Sequence, residues 1–219
     1  MVLVVDTDFS SQLYADLASG FVKNIFDSLD KEDYFGYISL ESGSRFGEAP
    51  LEKKGKNQHI KKAFLQSKNR PDEVTDFLRN RSQQDWKLQH ALQMALDWQD
   101  GIENTSEYIN GYQYVGPHKW IVCLIGSTEY TVQLFLAEKR RLLQETPNLS
   151  ISVVALTERP LTHRLRDYKE LTMDTREGNF INIVDVKKYD AHQLGKAFFS
   201  SLDVYPGDKR TSIREFFHT

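Results

Sequence analysis

The sequence predicts an α/β fold in which a mostly parallel sheet is covered by helices on both faces. Two features of the chain carry this reading. Short, predominantly apolar runs at 2–5, 119–125 and 150–156 mark strands buried on both sides. Stretches with apolar residues at helical spacing lie between the strands, and this alternation is the signature of right-handed β-α-β crossovers. A length of 219 residues and a hydrophobic fraction of 40% suffice for one such core. Residues 1–219 are therefore read as a single domain, either whole or cut from a longer protein.

The elements follow in order. Val2 to Val5 forms the first strand and ends in Asp6. Ser10 or Ser11 then caps a helix whose stripe is Leu13, Leu17, Phe21, Ile25 and Leu29. Asp33 to Leu40 is a second strand. The turn Gly43-Ser-Arg-Phe-Gly47 leads into a short third segment before Gly55, which makes an antiparallel edge strand. Residues 57–85 show only broken helical pieces around Arg70-Pro71. The pattern sharpens at Leu88, Ala91, Leu92, Ala95 and Leu96, a narrow stripe suited to packing on a sheet. A polar connection over 101–118 precedes the strand Lys119 to Ile125 and a helix from Glu129 to Gln144. The strand Ser150 to Leu156, a helix from Leu161 to Thr172 and the strand Phe180 to Val184 follow. Asp190 caps the last helix, which carries Leu194, Ala197, Phe198 and Leu202, with Gln193 placed to complete a capping box.

Composition narrows the function classes. A formal net charge of −3 argues against a dedicated nucleic-acid protein. The lone cysteine, Cys123, lies in an apolar strand, where it fills the core, and it suits a reducing compartment. No apolar run approaches the ~20 residues that span a bilayer, and no secretory leader pattern opens the sequence. The expected location is intracellular, cytoplasmic or nuclear, without membrane insertion. Nucleotide-binding glycine patterns, the G-x-S-x-G elbow and H-E-x-x-H are all absent, and the six histidines show no paired spacing on one helix. A non-enzymatic role is expected.

The stretch Val-Leu-Val-Val-Asp6-Thr-Asp8-Phe-Ser10-Ser resembles the opening strand and Asp-x-Ser-x-Ser loop of the von Willebrand factor type A (vWA) family. Asp33 to Leu40 is similar to that family's second strand, Leu88 to Ala95 to the helix after its threonine loop, and Gly178 to Val184 to its last strand. The resemblance covers nearly the whole chain and implies a Rossmann-like three-layer αβα vWA fold. In the family, three loops above the sheet form a metal-ion-dependent adhesion site. Magnesium takes about six oxygens there at ~2.1 Å, from hydroxyls, carboxylates and waters. On this resemblance Asp6, Asp8 and Ser10 are the metal candidates. Trp86 stands where the threonine belongs, unless a slipped register uses Thr75. Ile125-Gly126-Ser127 replaces the family's Thr-Asp-Gly, leaving Ser127, Thr128 or Glu129 to offer substitute oxygens. The implied site is degenerate, and Asp6 and Asp8 are expected to be solvated carboxylates at a strand end, near the start of the first helix.

The resulting expectation is a scaffold domain that binds another protein without a metal bridge and needs no cofactor. Trp86, Ser127 and Glu129 are its candidate contacts on the rim. Two alternatives stay open. One is the family's magnesium-dependent ligand binding. The other is a nucleic-acid-associated module using the basic stretch that contains Lys53, Lys54, Lys56, Lys61 and Lys62 and runs to Arg70 without an acidic residue. The favoured reading of that stretch is a solvated loop and helix face.

Overall fold

The computed structural model describes residues 1–6, 9–29, 33–40, 47–53, 87–100, 108–109, 112–113, 118–126, 130–157, 163–175 and 178–200. Six strands form the main sheet: β1 (Val2–Asp6), β2 (Tyr34–Leu40), β3 (Gly47–Lys53), β6 (Lys119–Ile125), β7 (Leu149–Leu156) and β8 (Phe180–Ile183). Their spatial order is β3-β2-β1-β6-β7-β8. β1 pairs in parallel with both β2 and β6, and the β6-β7 and β7-β8 pairs are also parallel. β3 runs antiparallel to β2 at one edge. A separate two-stranded ribbon pairs β4 (Tyr108–Ile109) with β5 (Tyr112–Gln113). The polar connection read over 101–118 thus contains a short ribbon that its composition does not announce.

Alternate side chains of the central strands feed two cores. Leu3, Val5, Val122, Leu124, Val154 and Leu156 face helices α1 (Gln12–Ser28) and α5 (Ala191–Ser200). Val2, Val4, Ile121, Cys123, Ile125, Ile151 and Val153 face α2 (Lys87–Asp100), α3 (Gln133–Glu145) and α4 (His163–Thr172). This is the three-layer arrangement that predominantly apolar runs require, since both faces of each strand are dry. Each fully buried Leu, Ile or Val contributes about 1.5–3 kcal/mol of transfer free energy.

The helical stripe at Leu88, Ala91, Leu92, Ala95 and Leu96 is buried throughout. The stripe read for α1 needs one correction. Leu13 is 53% exposed, and the buried positions begin at Tyr14, whose phenol donates to the Val184 carbonyl at 2.7 Å. A polar tip on a large apolar body gives Tyr14 this position at the sheet's end, and the helix turns accordingly. Ser11 is the N-terminal flanking residue of α1, but its side chain makes no capping bond. At α5 the expected capping box is present. Gln193 N–H donates to Asp190 Oδ1 at 2.7 Å, and Asp190 N–H donates to Gln193 Oε1 at 3.1 Å. α3 starts at Gln133, later than the Glu129 predicted.

α1 and α5 approach so closely that a Cβ on Gly20 would lie 2.5 Å from the Ala191 Cβ. Within the first core, the Trp120 ring stacks on His118 and on Phe198, with centroids 5.9 and 5.5 Å away, and its indole N–H donates to Ser152 Oγ at 3.1 Å. This stack ties α5 to the middle of the sheet.

Two outcomes are expected. Gly20→Ala lowers stability by about 1–3 kcal/mol in denaturant unfolding despite its gain in helix propensity, and Ala191→Gly in the same chain restores it. Burial pushes the Cys123 thiol up from 9.0 to about 12, so the folded protein resists a thiol reagent that labels the unfolded chain. Because the folded value is the higher one, this thiol's contribution to stability is complete below pH 9.0 and is lost as pH rises toward about 12. Cys123→Ala removes that part of the alkaline decline.

Candidate functional site

The strand order reverses between β1 and β6, because the chain builds outward from β1 through β2 to β3 and then returns to place β6 on the other side of β1. Open α/β sheets form ligand crevices beyond the carboxyl ends of their strands at such a point. Asp6 ends β1 there, and Gly126 directly follows β6.

Asp6 is fully buried. Its Oδ2 accepts from the Gly126 N–H at 2.9 Å, and its Oδ1 accepts from the Tyr130 O–H at 2.8 Å. Tyr130 is also buried, and its carbonyl accepts from the Tyr168 O–H of α4 at 3.1 Å. The Tyr168 phenol is held well above the usual range, first by burial and then by the negative charge of Asp6. One carboxylate thus joins the end of β1, the turn after β6, the approach to α3 and, through Tyr130, the body of α4. Nearby latches act similarly. Gln89 Oε1 of α2 accepts from the Leu134 N–H in the first turn of α3 at 3.2 Å, and Gln133 Nε2 donates to Asp167 Oδ2 of α4 at 2.8 Å.

The expectation that Asp6 is a solvated carboxylate is therefore corrected. The backbone amide after β6 and a phenol one turn later reach it from above the sheet, and these donors replace water. Ser10 is exposed, unlike Asp6. Asp8, Trp86, Ser127 and Glu129 lie outside the described residues, as do Thr75 and Thr128. Lys53 ends the edge strand β3, while Lys54, Lys56, Lys61 and Lys62 lie outside the described residues. The residues that matter most in the described geometry, Tyr130 and Tyr168, were not among the sequence candidates. The only signal for them was a tyrosine four positions after the glycine that closes β6, and another within an otherwise ordinary helical stripe.

Magnesium needs oxygen lone pairs turned toward an open position, with waters completing its shell. Asp6 instead offers a fully buried carboxylate with a hydrogen-bond donor on each oxygen. This part of the site does not fit the ion. Among the described residues, no group of three His, Cys, Asp or Glu side chains is placed to hold a metal.

No family model matches the chain, and no curated protein matches it in sequence. Solved structures do match in fold. A von Willebrand factor type A protein from Catenulispora acidiphila is 15% identical with a TM-score of 0.52, the match covering 91% of this chain and 40% of that one. Proximal thread matrix protein 1 of the mussel byssus is 15% identical with a TM-score of 0.52, covering 92% of this chain and 46% of that one. The N-terminal domain of TFIIH p34 is 15% identical over 91% of this chain and 94% of that one, at a lower TM-score of 0.49. The chain spans less than half the length of the first two. The fold is von Willebrand A-like, on the strength of the first two matches and the sheet order described above.

Removing the Asp6 carboxylate strands two donors in a dry site. Asp6→Ala is expected to lower stability by ~2–5 kcal/mol and Tyr130→Phe by ~1.5–3 kcal/mol, with strong coupling in a double-mutant cycle read by denaturant unfolding. Losses below ~0.5 kcal/mol for both would contradict the assigned bonds.

Proposed function

We propose that this domain is a non-enzymatic protein-binding module that engages its partner directly, without a bridging metal ion. The observation that carries this reading is the commitment of Asp6. Its oxygens hold Gly126 and Tyr130, so the carboxylate that could anchor a metal serves instead to tie the end of β6 and the approach to α3 to β1. A von Willebrand A-like fold provides a rigid sheet with loops and helix faces on which such a surface can be built.

A catalytic reading gains little from the described residues. The His118 ring nitrogen Nε2 lies 2.6 Å from Ser150 Oγ, a spacing that suits a nucleophile and its base. Ser150 is fully buried within the start of β7, at the opposite end of the sheet from the switch point. The pair braces the Trp120 stack. No helix among the described residues is long and apolar enough to cross a membrane. The buried, unpaired Cys123 supports an intracellular setting.

Sub-millimolar magnesium or manganese added to the purified domain is expected to leave its melting temperature unchanged, and partner capture is expected to persist in chelator. A saturable upward shift that Asp6→Ala abolishes, or capture lost in chelator, overturns the reading.

A further inference from the structure

A cleft of about 830 Å³ opens between α3 and α4, on the face of the domain away from α1 and α5. Leu136 and Leu143 of α3 and Met173 after α4 supply its apolar walls, and Met173 is 53% exposed. Leu136 and Leu143 are half-buried against the second core and therefore fixed in place. Such a volume accepts a few side chains of a docked segment.

The charges around the cleft are unequal. Lys139 lies at its base, where its Nζ donates to the Glu170 carbonyl at 2.5 Å near the carboxyl end of α4. A cation suits the carbonyl end of a helix, and this bond holds the two helices at a fixed separation. Burial holds the Lys139 ammonium below the usual lysine range, and the nearby Asp174 and Glu170 carboxylates oppose that shift. Arg140, Arg166 and Lys169 are exposed around the same opening and make no ion pair among the described residues. In contrast, Arg141 on the outer face of α3 is paired with Glu138 and Glu145, and Arg164 approaches Asp167. Three exposed cations without an ion pair among the described residues thus share the rim with the apolar walls.

We propose that the α3/α4 cleft is the docking site for an acidic amphipathic segment of a partner protein, with apolar side chains seated on Leu136, Leu143 and Met173 and carboxylates meeting Arg140, Arg166 and Lys169. Charge complementarity selects this occupant. An apolar helix would leave three cations without a counter-charge, and a basic segment would be repelled. A nucleic-acid strand fits less well, because the cleft has no aromatic side chain for base stacking. The assignment rests on the protein-binding reading and adds to it the surface and the chemistry of the partner.

The test uses the full chain and a fluorescein-labelled synthetic helix with Glu on one face and Leu and Phe on the other. Anisotropy is expected to rise to saturation, to weaken with salt, and to lose affinity by at least about tenfold in Arg140→Glu/Lys169→Glu and in Met173→Asp. These positions are exposed, so the variants should melt with the parent. Amide shifts in the isotope-labelled protein should map to α3 and α4. No saturable binding, equal binding by a Lys-for-Glu probe, tighter binding by oligo-dT, or affinity unchanged in the charge-reversed variant each overturns the docking site. Failure here with chelator-resistant partner capture intact removes this surface alone, whereas capture that requires magnesium removes the underlying protein-binding reading.

Discussion

A carboxylate removed from water is destabilising by several kcal/mol unless hydrogen-bond donors replace its hydration, and Asp6 meets that requirement at the point where the sheet reverses direction. The donors come from Gly126, just beyond β6, and from Tyr130, on the approach to α3. This constraint governs the upper end of the molecule. The turn after β6 must bring its amide back toward β1, Tyr130 must point inward, and α3 must begin late enough to allow both. Tyr168 then has a carbonyl to bond, which draws α4 against the same point. A removal of the Asp6 carboxylate would loosen four elements together, because each bond presupposes the others.

The same arrangement is what the proposal of a metal-independent binding domain rests on. A metal ion would draw loops together from outside by sharing their oxygens. In this chain Gly126 and Tyr130 converge through their hydrogens on an oxygen pair supplied by the end of β1. Both solutions satisfy a buried or half-buried carboxylate, but only the first leaves an open coordination position for a partner. Contact surfaces must then be sought elsewhere, and the α3/α4 cleft is the place where exposed charge and exposed apolar surface coincide.

Much of the fold was legible in the sequence because it is written locally. Lys119 to Ile125 forms β6 at its predicted bounds, the Leu88 to Leu96 stripe is wholly buried, and the Asp190/Gln193 box closes as its spacing requires. These features need only neighbours within a turn or a strand. The failures involve distant partners. Asp6 and Tyr130 are 124 residues apart, so nothing near Asp6 reveals that its carboxylate is buried. Leu13 fits a four-residue spacing as well as Tyr14 fits a three- or four-residue one, and only the carbonyl of Val184 decides between them. The Lys139 bond to α4 was equally hidden, since a lysine in an amphipathic helix normally belongs to the solvent side.

The indole of Trp120 occupies a slot bounded by two rings and a strand hydroxyl, with one of those rings belonging to α5. Its emission therefore depends on whether that helix is seated. Trp98, half-buried on the other face, has no part in this stack. The domain consequently carries, in Trp120, an intrinsic optical reporter on the docking of α5, obtainable without attaching any dye.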